Sequence, residues 1–168
     1  MLDSQVIELE DSLEAVEACF RERGWTDGLP IVPPTPERVE RMLAGIDAPP
    51  DRVIGTLPPL WGEATVEKVA VNAVMAGGRP VAMPVLVAAL EAMLDPAFNL
   101  YGVQATTHPV APLVIVHGPA AARLGMHAGA GCFGPGHPAN ATLGRAVRLC
   151  LMNLGGARPG QGDMATQG

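Results

Sequence analysis

The stretch Gly129-Ala130-Gly131-Cys132-Phe133-Gly134-Pro135-Gly136-His137-Pro138-Ala139-Asn140-Ala141-Thr142-Leu143-Gly144-Arg145 constrains the fold more than any other. It carries five glycines, two prolines, a cysteine and a histidine, and it leads into an apolar, arginine-bearing run of helical character. Glycine and proline at this density suit irregular backbone. The chain is therefore expected to loop here and then enter a helix. A helix start offers unpaired N–H groups and the positive end of the helix dipole, which favour an anionic group. A cysteine held at such a place can have a lowered pKa and act as a nucleophile.

The rest of the composition narrows the class. A chain of 168 residues fits one domain with a real core. Nearly half the residues are apolar but only six are aromatic, so the core is expected to consist of Val, Leu, Ala, Met and Ile. A net charge of −6, with basic residues dispersed apart from Arg145 and Arg148, argues against a nucleic-acid partner. Three cysteines (Cys19, Cys132, Cys150) without a CxxC do not make a disulfide framework and fit a reducing compartment. The acidic N-terminus lacks signal-peptide order, and the run from Val81 to Leu94 is too short for a bilayer and carries Pro84 and Glu91. A soluble, cytoplasmic protein without a membrane partner is expected.

Helices are expected over Ser12–Arg23 with Ser12 as cap, from Thr35-Pro36-Glu37 to Gly45, over Thr65–Met75, over Pro80–Leu94, over Ala120–Leu124 and over Asn140–Leu154. Strands are expected at Val53–Leu57, Tyr101–Thr106 and Leu113–Val116, with a short extended piece at Leu29–Val32. The third is a continuous apolar run of the kind found in central strands. The expected fold class is α/β or α+β: a layered single domain over residues 1–154 with about four strands and five to six helices. Residues 155–168 read as a polar, glycine-rich tail, either disordered or docked on a partner chain.

The glycine stretch admits three readings: a tight loop with a merely buried cysteine, an anion-binding loop, or a reactive thiol. In the second, Gly134, Gly136, Asn140, Thr142 and Arg145 would hold a carboxylate or phosphate. In the third, Cys132 would act beside His127 or His137. The five-residue spacings of His127, Cys132 and His137 do not match compact zinc patterns, so no metal is expected. GxxxxGK[ST] and GxGxxG are both missing, which leaves the cofactor unspecified. His108 follows an expected strand, where catalytic groups often gather, although a lone histidine is more often structural. Glu63 reads as a helix-dipole partner or a general base, and Asp27-Gly28 as turn chemistry or part of a site. Asn72, four residues after Lys68 and set among Val and Ala, must be hydrogen-bonded if its face is buried.

Five segments together carry a resemblance: Gly24-Trp25-Thr26-Asp27-Gly28-Leu29-Pro30-Ile31-Val32-Pro33-Pro34, Trp61-Gly62-Glu63-Ala64-Thr65-Val66-Glu67-Lys68, Asn99-Leu100-Tyr101-Gly102-Val103-Gln104-Ala105-Thr106-Thr107-His108-Pro109, Phe133-Gly134-Pro135-Gly136, and Ala139-Asn140-Ala141-Thr142 through Gly144-Arg145-Ala146. From about residue 13 onward the chain resembles the C-terminal region of the UGSC family of (seleno)proteins, which is related to glycine reductase selenoproteins. The family's Gly-Ser-Cys or selenocysteine motif is not in this chain, so its redox centre cannot be carried over to any residue here. The resemblance implies thiol- or selenol-linked redox chemistry and a second protein chain that supplies the rest of the family pattern.

The leading expectation is thus a subunit of a small-molecule, oxidoreductase-like enzyme acting on a small anionic substrate. Its site would be built from Asp27, Glu63, His108 and the loop from Cys132 to Arg145. One alternative is a hydrolase or lyase subunit using Glu63 and His108 as acid and base. The other is a non-catalytic assembly module.

Overall fold

The computed structural model describes residues 2–165. Helix α1 (Leu13–Glu22) starts where Ser12 Oγ accepts from the Ala15 N–H at 3.1 Å. Helix α2 (Pro36–Leu43) starts with proline at its first position, where a missing N–H costs nothing. Strand β1 (Val53–Leu57) turns back through Pro58–Trp61 into β2 (Gly62–Thr65). The two pair antiparallel, with Leu57 opposite Gly62 and Val53 opposite Thr65. Thr65 ends β2 and caps α3 (Val66–Met75) through its Oγ1, which accepts from the Lys68 N–H.

A 3₁₀ turn at Pro80–Ala82 leads into α4 (Met83–Met93); α5 (Leu100–Ala105), α6 (Gly118–Leu124) and α7 (Pro138–Asn153) follow. Helix α3 lies at the centre and packs against α7, α2 and α4. Its Val66, Val69 and Ala70 are wholly buried, with Leu149 and Cys150 of α7 and Leu90 of α4 beside them in one core. A leucine fully removed from water contributes about 1.5–3 kcal/mol, so this helix cluster is the main source of stability.

The mixed helix-and-strand class holds, but the described residues contain two strands rather than four, and seven α-helices rather than five or six. The segment Tyr101–Thr106 is no strand: Tyr101–Ala105 falls in α5, and Thr106 is its extended C-cap. Asn99 takes a left-handed conformation (φ 54°) and its Oδ1 accepts from the Gly102 N–H, which starts a helix where β-branched residues suggested extension. Leu113–Val116 joins no ladder. Leu29–Val32 joins none either, and Val32 N–H instead donates to Met75 O at the end of α3.

Residues 155–165, expected as a tail, fold back on the chain itself. Ala157 is wholly buried and its N–H reaches Leu151 O, while Gly155 O accepts from Leu60 N–H in the hairpin turn. Asp163, 5 % exposed, pairs with Arg148 of α7 at 2.7 Å. Residues 166–168 of that expected tail lie outside the described residues. No described helix is long and apolar enough to cross a membrane.

Candidate functional site

Asp27 and Arg145 meet across 118 positions of sequence. Arg145 Nε donates to one carboxylate oxygen and its terminal nitrogen to the other, both at 2.8 Å, and that nitrogen also reaches Pro30 O at 2.8 Å. The loop is preset for this. Thr26 Oγ1 donates to Leu29 O and accepts from the Gly28 N–H, closing a turn that aims Asp27 at α7. Burial pushes the Asp27 carboxyl up. The hydrogen bonds and charge of Arg145, with the Leu29 amide, outweigh that and hold it below its ordinary value. Both charges are thus satisfied within the protein.

The glycine loop is organised by Asn140 in the first turn of α7. Its Oδ1 accepts from His127 N–H, and its Nδ2 donates to His127 O and Cys132 O, all between 2.9 and 3.1 Å. Thr142 Oγ1 donates back to Pro138 O. The His127 and His137 rings stack with centroids 3.7 Å apart and 12° between planes, and His127 Nε2 lies 3.0 Å from Ala130 O. Gly136 has φ 103°, a conformation that needs glycine, whereas Gly134 N–H closes a turn onto Gly131 O. Phe133 at the loop tip is 87 % exposed.

Glu63, His108 and Cys132 lie on separate elements, and no hydrogen bond joins any two of them. Glu63 on β2 faces Lys68 at 3.7 Å, while the Lys68 ammonium donates to Glu63 O. His108 sits exposed after α5, its N–H donating to Thr106 Oγ1. Cys132 and Cys19 are half-buried; burial of Cys150 pushes its thiol far up, out of reach of neutral-pH chemistry. No cluster of three or more His, Cys, Asp or Glu able to hold a metal occurs among the described residues.

A cavity lies elsewhere. A cleft of about 840 Å³ opens between the N-terminal segment and helices α1, α2 and α3, walled by Leu2, Val6, Phe20, Trp25, Val39, Val71 and Met75. Its polar lining includes Glu67, Lys68, Asn72 and Asn153, together with Arg38 and the carboxylates of Glu10 and Asp11. Asn153 Nδ2 donates to Asn72 Oδ1 at 2.8 Å and to Trp25 O at 3.1 Å, and Asn72 Nδ2 donates to Lys68 O. Asn72 Oδ1 and Trp25 O, its two acceptors, fix the amide orientation of Asn153 and leave its buried Oδ1 without a donor.

Glu67, 3 % exposed, holds the cleft's cover by accepting from the Asp3 and Ser4 amides. Its burial raises the carboxyl pKa, and hydrogen bonding from Ser4 and Asp3 overrides that and lowers it. Asn72 could be singled out in sequence as an amide among aliphatics. Asn153 and Glu67 gave no such signal, because their hydrogen-bond partners lie 63 or more positions away.

Two of the five family-like segments also meet at the surface. Trp61, with φ 59°, stacks on Tyr101 at 6.1 Å and 7°. Compared with protein-family models, curated proteins and solved structures, the chain matches none of them.

Proposed function

We propose that the chain is the ligand-holding subunit of a small-molecule enzyme, of the thiol- or selenol-linked class its sequence resembles, and that the ligand occupies the cleft under the N-terminal segment. The observation that carries this reading is the cleft itself, an 840 Å³ space with apolar walls and Lys68, Asn72 and Asn153 among its lining residues. The walls suit an apolar body. Arg38 and Lys68, the cations among the lining residues, could pair with a ligand carboxylate or sulfonate, Lys68 by exchanging its contact with Glu63.

Asp27 and Arg145 then serve to fix the Trp25 loop, whose carbonyl orients Asn153, instead of binding substrate directly. Cys132, His108 and Glu63 remain available to a redox or acid–base partner as separate surface groups. The reading is tested with 8-anilinonaphthalene-1-sulfonate, an apolar anion with one N–H. Saturable one-to-one binding is expected, and Val71→Trp, which fills the cleft away from the amide pair, should weaken it about tenfold or more with the fold intact. Equal binding by the two proteins would refute it.

A further inference from the structure

Residues 110–116, Val-Ala-Pro-Leu-Val-Ile-Val, form an unpaired apolar strand at the surface. They lie in no helix and no ladder, and burial alternates with period two from Ala111 to His117, the mark of extended backbone. Val114 and Val116 pack on the core, whereas Leu113 and Ile115 are 62 % and 66 % exposed. Residues 111–116 make no backbone hydrogen bond to any described residue. An uncharged, β-branched edge of this kind pairs readily with another strand.

The two edges of this strand differ. In extended backbone the N–H and C=O groups of alternate residues point to opposite edges. Ala111, Leu113, Ile115 and His117 therefore offer a complete set on one edge. Pro112 lacks an N–H and leaves a gap on the other, where proline is tolerated because nothing pairs there. One complete edge accommodates one added strand.

Charge identifies the occupant. All but one of the 17 acidic residues lie at or before Asp95, the exception being Asp163, and residues 96–162 contain none. The elements flanking the strand in sequence, α5, α6, the glycine loop and α7, therefore bring no carboxylate beside it. The same span carries four arginines, of which Arg145 and Arg148 are neutralised by Asp27 and Asp163. It therefore holds little net charge in a chain of −6, and two copies approach here with least repulsion.

We infer that the strand 110–116 pairs antiparallel with the same strand of a second copy, about a twofold axis at Val114. In this register Leu113 lies opposite the partner's Ile115 on the outer face and exchanges both backbone hydrogen bonds with it. Pro112 lies opposite the partner's Val116 at a position that needs no N–H. The pairing is self-complementary, as a twofold interface requires.

Sedimentation and light scattering test it. The unaltered protein should have twice the chain mass. The doubles Leu113→Lys/Ile115→Lys and Leu113→Glu/Ile115→Glu, each placing like charges opposite one another, should each raise the dissociation constant roughly 100-fold. An equimolar mixture of the two doubles should dimerise again. A second measurement needs no variant: in the dimer, the Leu113 and Ile115 amides should resist hydrogen exchange while the Val114 amide exchanges freely. A monomeric unaltered protein, a dimer that persists in both doubles, or equal exchange at all three amides would overturn the inference.

Discussion

The region around Trp25, Asp27, Arg145 and Asn153 and the region from Thr106 to His137 differ in how their polar groups are used. In the first, three side-chain contacts span more than 80 positions of sequence: Arg145 on Asp27, Asn153 on Asn72, Asn153 on Trp25 O. In the second, hydrogen bonds are local or missing. Asn140 ties down one end of the glycine loop, and the neighbouring strand is bonded to nothing. Buried long-range hydrogen bonds raise the cost of opening a region, whereas exposed backbone with few partners lowers it. The first region is the more tightly tied of the two, and its charges are matched within the protein because buried charge is costly unless paired.

The sharpest way to break this contrast is Arg145→Ala. It leaves the mostly buried Asp27 carboxylate without its guanidinium and should cost about 3 kcal/mol. A calorimeter should read that as a fall of roughly 6–12 °C in Tm. The sign of the pH dependence follows from the lowered Asp27 pKa. The bridge stabilises fully above the unfolded-state carboxylate pKa, and the increment is lost as pH falls through the lower folded value. The gap in Tm between the unaltered protein and Arg145→Ala should therefore narrow in acid; a gap constant with pH would show that Arg145 acts through packing alone.

Asn140→Ala removes three hydrogen bonds from the glycine loop and should cost about 2 kcal/mol. Limited proteolysis should then cut within residues 127–137 while the helix core stays intact. Loss of the whole fold instead would put this loop in the scaffold. Glu67→Gln keeps the side-chain shape but weakens its hold on the Asp3 and Ser4 amides, at about 1 kcal/mol. Its readout is faster hydrogen exchange of those two amides, and the lowered Glu67 pKa predicts the same loosening when the unaltered protein is acidified through the folded value. Leu113→Ser should be smallest, within about 0.5 kcal/mol for the dilute single chain, because Leu113 already faces water. A large fall in Tm there would make the strand part of the core.

The helices were legible where local chemistry marks them: Ser12 and Thr65 cap through their hydroxyls, and Pro36 opens α2. The strands were less so. Gly62-Glu63-Ala64-Thr65 has no strand character of its own and becomes β2 because β1 and the end of α7 enclose it; any side chain at Gly62 would collide with the Leu154 carbonyl. Tyr101–Thr106 was decided by Asn99 just before it, a capping signal weaker in sequence than the valine and threonine it outweighed. The candidate site divides the same way. Asp27 and Arg145 could be singled out as charged residues near glycine, but their mutual neutralisation depends on a contact that no local pattern encodes. The buried acceptor of Asn153 depends on three segments distant in sequence, so it became visible only once they were brought together.

Pro112 has a consequence for assembly beyond its own edge. In polymer terms, a strand with one complete edge and one interrupted edge is a monofunctional monomer: it can terminate a growing sheet but cannot propagate one. Association through it therefore saturates at two chains however high the concentration rises. Replacing Pro112 with an ordinary residue would restore the missing donor and make the monomer bifunctional, turning a closed pair into a unit that can add without limit.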